Sequence, residues 1–241
     1  MRNLVIDIGN TRVKYGVFTD GQLVHQQTAA TALADDIFAL LTNHSLTNII
    51  YSSVATSLDP QLAQDLAAKY RLIELNAATT LPIVNDYATP DTLGKDRLAA
   101  VVGAQALFPA TNCLVVDAGT CMTLDVLRAD GHYLGGNISP GVQMRWRAMH
   151  TQTARLPLVT EAGPEALWGT DTQSALQQGG LLGAALEIEA LAQRLALDWP
   201  DLKVLLTGGD ASLLANRIKY RIFVRPNLVL AGLNAVLTYA K

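Results

Sequence analysis

The sequence predicts an α/β protein built from two similar halves, and three observations carry that expectation. An apolar strand ending in Asp-x-Gly occurs twice, as Leu4-Val5-Ile6-Asp7-Ile8-Gly9-Asn10-Thr11 and as Leu114-Val115-Val116-Asp117-Ala118-Gly119-Thr120. The two aspartates stand 110 positions apart, close to the size of one compact domain. Strand-like and helix-like patterns alternate around both copies, and a chain of 241 residues, 50% of them hydrophobic, is long enough for two modest cores.

The first half opens as a three-strand antiparallel meander. A mostly apolar run from Asn3 to Ile8 is followed by a Gly-Asn-Thr turn, a second strand pattern from Arg12 to Phe18, a turn at Gly21 and a third strand from Gln22 to Gln27. A helical stretch at Asp35 to Leu41, a strand at Asn48 to Ser53, an amphipathic helix from Pro60 to Tyr70 and a short strand at Arg71 to Leu75 complete it. Pro82, Asn85, Asp86 and Pro90 make Thr79 to Gly94 an extended connector, since proline disfavours helix at its own position and at the one before. A helix rich in Ala and Leu then runs from Leu98 to Phe108, and Pro109 closes it.

The second half repeats this opening with strands at Cys113 to Asp117, Cys121 to Leu127 and Gly131 to Leu134. Gly135 to Gly141 reads as a glycine-rich loop, and Val142 to Thr151 behind it as a helix. Leu176, Leu182, Leu186 and Leu191 describe a long helix from Thr172 to Ala196, in which Gly179, Gly180 and Gly183 shave one part of the surface for close packing against another backbone. A strand at Val204 to Thr207 runs into Gly208-Gly209-Asp210, and Val229 to Tyr239 is a terminal helix. The expected domains are 1–110 and 111–241, with the terminal helix able to pack back on the first.

Charge and composition narrow the function. A net charge of −3 and a pI near 5.8 argue against nucleic acid as the main partner, because phosphate-backbone binding needs a basic face. The start of the chain lacks the apolar stretch of a secretory signal, and the apolar run Ala175 to Leu197 is interrupted by Gln, Glu and Arg, so a soluble, cytoplasmic protein off the membrane is expected. Cys113 and Cys121 have no CxxC spacing and the four histidines are scattered, so disulfide scaffolds and zinc sites are not expected. Trp146, Trp168 and Trp199 read as core or interface aromatics.

Each Asp-x-Gly places a carboxylate at a strand end, followed by glycine and a hydroxyl residue, a combination suited to metal ions and phosphate oxygens. In Asp7-Ile8-Gly9-Asn10-Thr11-Arg12-Val13-Lys14 the glycine permits close approach, turn N–H groups are available to phosphates, and Lys14 adds positive charge. Asp7 is suited to a phosphate-bound Mg²⁺ held through water. Neither GxxxxGK[ST] nor a helix-opening GxGxxG is present, so the phosphate loop joins two antiparallel strands. Two such hairpins, with Gly208-Gly209 near a nucleotide base, describe two ribonuclease-H-like domains, the actin-like ATPase duplication with its nucleotide cleft between them. In Gly94-Lys95-Asp96-Arg97 an aspartate beginning a helix reads first as a cap or a favourable first-turn charge. Its neighbours also fit a substrate site, with close approach at Gly94, an acceptor for the proton of a substrate alcohol at Asp96 and a planar donor fork for a carboxylate or phosphate at Arg97.

Taken together, Asp7 to Thr11, Gly94 to Arg97, Asp117 to Thr120, Gly135 to Gly141 and Gly169-Thr170-Asp171-Thr172 give the chain, from end to end, a resemblance to the type III pantothenate kinases. The resemblance implies transfer of the ATP γ-phosphoryl group to pantothenate, the first step of coenzyme A biosynthesis. It implies ATP binding by Asp7, Ile8, Gly9, Asn10, Thr11, Arg12, Val13, Lys14 and Thr120, and pantothenate binding by Tyr87, Gly94, Lys95, Asp96, Arg97 and Thr172. It further implies Asp96 as proton acceptor, Mg²⁺ with ATP, a monovalent cation (K⁺ or NH₄⁺) at Asp117, and a homodimer, which gives the Gly179-Gly180-Gly183 helix a second reading as a dimer contact. A same-fold kinase for another small alcohol and a non-catalytic regulatory relative are the alternatives.

Overall fold

The computed structural model describes residues 1–31, 34–54 and 58–240. The elements in order are β1 (Arg2–Ile8), β2 (Val13–Thr19), β3 (Gln22–Ala29), α1 (Ala34–His44), β4 (Asn48–Ser53), α2 (Pro60–Ala67), β5 (Arg71–Glu74) and β6 (Val84–Asn85). A 3₁₀ turn (Pro90–Thr92) leads to α3 (Lys95–Leu107), β7 (Cys113–Ala118), β8 (Cys121–Leu127), β9 (His132–Pro140) and α4 (Val142–Thr151). The chain ends with α5 (Thr172–Asp198), β10 (Lys203–Thr207), α6 (Ala211–Ala215), β11 (Ile222–Val224) and α7 (Leu228–Tyr239). Two compact units result: Met1–Pro109 with Gly131–Tyr133 and Asn227–Lys241, and Ala110–Asp130 with Leu134–Pro226.

In the first unit the strands lie in the order β3-β2-β1-β4-β5, with β1, β2 and β3 antiparallel and β4 and β5 parallel to β1. The β2–β3 hairpin is closed by Asp20-Gly21, both at positive φ (50° and 82°), the combination a two-residue turn needs to match the twist of its strands. Asp59 caps α2 by accepting the Gln61 and Leu62 N–H groups at 3.0 Å, ahead of Pro60 in the first turn.

Strand β1 is buried on both faces, and its period of two divides the labour. Leu4, Ile6 and Ile8 join Val13, Tyr15, Ile37, Leu40 and Ile49 in one core. Asn3, Val5 and Asp7 take the opposite face, where the Asn3 amide donates to Asn234 Oδ1 of α7 at 2.8 Å. Helices α3 and α7 cover that face and meet backbone to backbone. A Cβ at Gly103 would stand 2.5 Å from the Leu228 carbonyl oxygen, and one at Gly232 would overlap the Ala99 carbonyl oxygen.

The second unit has the strand order β11-β10-β7-β8-β9, the first sheet's order with each strand replaced by its counterpart, and β6 pairs with the His132–Tyr133 start of β9. Strand β7 is antiparallel to β8 and parallel to β10, as β1 is to β2 and β4. The duplication seen in two Asp-x-Gly strings is therefore a duplication of topology.

Two expectations change. Gly135 to Gly141 is chiefly strand, because β9 runs on to Pro140; a Cβ at Gly136 would overlap the Leu124 carbonyl oxygen, so the glycine serves close strand approach. On α5 only Gly180 is tightly enclosed, and by the Trp146 indole, whose N–H donates to Leu176 O at 2.9 Å, while a Cβ at Gly179 would meet open space. Trp146 is core, one of the two places read for the tryptophans, and Trp168 is 71% exposed in the single chain. Short elements with weak periodicity, α6 and β11, were not foreseen.

The α3–α7 contact makes a direct prediction. Gly232→Ala should lower stability by at least about 1–3 kcal/mol, the usual cost of overpacking, because a backbone oxygen has no rotamer with which to yield. A urea midpoint equal to that of the wild type would show that the helices separate at little cost.

Candidate active site

Asp7 lies one residue from the end of β1, opposite Lys14 on β2 and Ser52 on β4. It is 8% exposed, and the Ser52 hydroxyl donates to its Oδ1 at 3.0 Å. Burial pushes its carboxyl above the ordinary carboxylate range; the Ser52 bond and the Lys14 ammonium pull it back, and the Asp96 carboxylate adds to the rise. The turn that follows is tied by the Gly9 N–H to Arg12 O at 3.0 Å. Asn10, Thr11 and Arg12 project from it as exposed residues, whereas Ile8 and Val13 belong to the core and offer a ligand only their backbone.

Helix α3 begins at Lys95, three residues earlier than its apolar pattern suggested, which puts Asp96 in the first turn. There Asp96 Oδ1 accepts the Arg97 N–H at 2.8 Å, and a Cβ at residue 94 would stand 2.6 Å from that oxygen, so glycine is the residue that fits before it. The first-turn position also sets a carboxylate against the positive end of the helix. Arg97 is 5% exposed and its guanidinium carbon lies 5.5 Å from the centroid of the half-buried Tyr87 ring. Thus Asp7, Asp96, Arg97 and Tyr87 belong to the first unit, and the two carboxylates feel each other.

Asp117 occupies the corresponding strand position in the second unit, with Thr123 on β8 and Thr207 on β10 as its register partners. Gly208, at φ 97°, passes so close that a Cβ would stand 2.5 Å from Asp117 Oδ1. The exposed Thr120 sits in the β7–β8 turn, where its carbonyl accepts the Gly141 N–H at 3.2 Å. The buried Thr123 Oγ1 has no hydrogen-bond partner among the described residues. Beyond β10, burial raises the Asp210 carboxyl above its ordinary range. Thr172 is the exposed first residue of α5, behind a capping box in which Asp171 and Ser174 satisfy each other's backbone N–H. That cap accounts for Asp171 and Ser174 without a ligand, and the Ser174 bonds hold the Asp171 carboxyl below its ordinary range.

A sequence model of the type III pantothenate kinase family matches residues 3–194. A type III pantothenate kinase of Christiangramia forsetii is 41% identical over 99% of both chains, and one of Phocaeicola vulgatus is 40% identical over 98% of both. The chain belongs to the type III pantothenate kinase family. Solved structures agree at the level of fold. A Campylobacter jejuni chain described as a candidate Baf family transcriptional activator gives a TM-score of 0.64 at 24% identity, covering 98% of each chain. A ROK hexokinase from Thermus thermophilus gives 0.54 at 14% identity, covering 99% of each. The duplicated actin-like architecture expected from the sequence is therefore the fold of this pantothenate kinase family member.

Sequence reasoning missed Ser52, Gly208 as a wall of the Asp117 site, and Tyr133, whose ring stacks on Tyr87. Ser52 ends an apolar strand as Asp7 does, a usable signal, but the register that joins them is set by tertiary pairing.

The raised Asp7 pKa has a signed consequence. Its folded value exceeds the unfolded one, so the native state binds the proton more tightly and stability falls as pH rises from about 3.8 through the folded value. Asp7→Asn, which cannot ionise, should match the wild type below that window and become the more stable protein above it. Urea midpoints across a pH series check this; an Asn variant less stable by a constant margin at every pH would contradict it.

Proposed function

We infer that this pantothenate kinase transfers the γ-phosphoryl group of ATP to the primary hydroxyl of pantothenate, giving 4′-phosphopantothenate and ADP, with Asp96 as the proton acceptor. The observation that carries the reading is that one unit holds both the buried strand-end carboxylate Asp7, opposite Lys14 and bonded by Ser52, and the helix-start carboxylate Asp96 next to the buried Arg97.

The new bond joins the pantothenate oxygen to the γ-phosphorus, and the bond from that phosphorus to the β–γ bridging oxygen breaks as ADP leaves. Such a transfer is governed by alignment and charge neutralisation. N–H groups of the Gly9 to Arg12 turn, with the Lys14 ammonium, suit the ATP phosphates, and Thr120 suits the nucleotide from the second hairpin. Arg97 offers its donor fork to the pantothenate carboxylate, with Tyr87, Gly94 and Lys95 beside it in the chain's first unit, and Thr172 is the further pantothenate contact that the family resemblance implies. Asp96 orients the alcohol and takes its proton late, because an alcohol is far less acidic than a carboxylic acid.

A divalent metal with ATP fits this chain: burial opposes the negative charge of Asp7, and a cation held there, through water, would relieve that opposition. Mg²⁺ would supply charge neutralisation on the phosphates. At Asp117 a carboxylate in register with an unpartnered buried hydroxyl, Thr123, offers the hard oxygen donors that suit K⁺ or NH₄⁺. In this reading each subunit of a cytoplasmic homodimer carries the two duplicated halves, 1–110 and 111–241, with the terminal helix and Gly131–Tyr133 joined to the first.

Asp96→Asn should keep ATP and pantothenate binding and lose on the order of 10²–10⁴ in kcat, the contribution of a positioned general base. Near-normal turnover would remove Asp96 from that role. Exchanging K⁺ for Na⁺ at constant ionic strength should sharply reduce the rate, and equal rates in the two salts would take the monovalent cation away from Asp117.

A further inference from the structure

We propose that Tyr133 is a positioning residue for the pantothenate side of the reaction: it sets the Tyr87 ring and, through that ring, the Arg97 guanidinium. The proposal rests on the reading of Tyr87 and Arg97 as pantothenate contacts. Tyr133 is fully buried, and its ring lies 6.2 Å from that of Tyr87 with 6° between the planes, an offset parallel stack. Tyr87 in turn carries the Arg97 guanidinium at 5.5 Å. A guanidinium as buried as this one takes its orientation from the groups around it, and the Tyr87 face is one of them.

The backbone repeats the link that the rings make. Gly131 O accepts the Val84 N–H at 2.9 Å, and Tyr133 O accepts the Asp86 N–H at 3.0 Å. Asp86 Oδ2 meets His132 Nδ1 at 2.8 Å, and Asn85 Oδ1 accepts the Tyr87 N–H at 3.1 Å. These bonds matter because the connector around Tyr87 has almost no regular structure beyond two residues of β6, and its prolines remove donors. Tyr87 is thus placed by Gly131 to Tyr133, a stretch far along the chain, with Tyr133 as its only ring-to-ring support among the described residues.

The test is steady-state kinetics on full-length variants, with KM measured separately for pantothenate and ATP. Tyr133→Leu removes the stack and should raise pantothenate KM roughly 3- to 10-fold, the size of one aromatic pair, with ATP KM and kcat within about twofold. Tyr133→Phe keeps the ring and should return pantothenate KM close to the wild-type value. An unchanged pantothenate KM in Tyr133→Leu, or a parallel loss in both KM values and kcat, overturns the proposal. If Tyr133→Leu does not fold, His132→Ala decides: loss of the half-exposed Asp86 pair should raise pantothenate KM roughly 2- to 5-fold, and no change counts against the proposal. Tyr87→Ala and Arg97→Ala, run alongside, separate the two levels. If neither moves pantothenate KM, the substrate reading itself fails and the positioning role falls with it. If Arg97→Ala raises it while Tyr133→Leu does not, the positioning role alone is wrong.

Discussion

The arrangement of the first unit depends on the place where α3 and α7 touch backbone to backbone. Gly103 and Gly232 let the two helices approach closely, with the glycine of each against a carbonyl oxygen of the other. Helix α3, whose first turn carries Asp96, packs on α7 through that contact, and α7 lies against β1. A side chain larger than hydrogen at either glycine would meet a carbonyl oxygen of the facing helix. The Asn3 to Asn234 bond, at the far end of β1 from Asp7, pins α7 to the same strand.

Duplication has kept the geometry and altered the chemistry. Both units place an aspartate near the end of the first strand, between an antiparallel neighbour and a parallel one. Around Asp7 those neighbours are Lys14 and Ser52, a cation and a hydroxyl donor that favour a charged carboxylate against its burial. Around Asp117 they are Thr123 and Thr207, both neutral, with Gly208 bringing backbone against the carboxylate oxygen. Equivalent positions in the two sheets thus have different register partners: a cation and a hydroxyl beside Asp7, and two hydroxyls beside Asp117.

The elements were legible where local physics decides them. Gly21 announced its hairpin because glycine adopts the positive φ that a tight turn needs, and the structure adds Asp20 at positive φ beside it. The helix start at Pro60 was legible for another local reason, since proline's fixed negative φ and missing N–H suit the first helical turn, and the structure adds Asp59 as its cap. The early start of α3 was obscured because Lys95, Asp96 and Arg97 break the apolar pattern while Gly94 supplies no side-chain cap. The strand through Gly135 to Gly141 was hidden because glycine reads as loop, and only the proximity of β8 shows why it serves a strand. Within the candidate site, Asp7, Asp96 and Arg97 stood out by residue type and neighbours. Ser52 and Tyr133 did not, since each acts through a partner at least 45 positions away in sequence and through a register that no local pattern encodes.

Placing a carboxylate where Asp7 lies works against folding, and the direction of that effect says something about selection at the site. A core position on β1 filled for stability alone would carry an apolar residue, as Leu4, Val5 and Ile6 do. The chain instead keeps an ionisable group there, compensates it partly with Ser52 and Lys14, and adds Asp96 as a second negative charge that makes matters worse. Two like charges brought together in a desolvated place are stabilised by a ligand that neutralises them, because binding to the native state alone shifts the folding equilibrium by mass action. Under the proposed function, the electrostatics that work against the fold here would favour a cation-bearing phosphate substrate. The loss of intrinsic stability and the affinity for such a substrate would then share one physical origin.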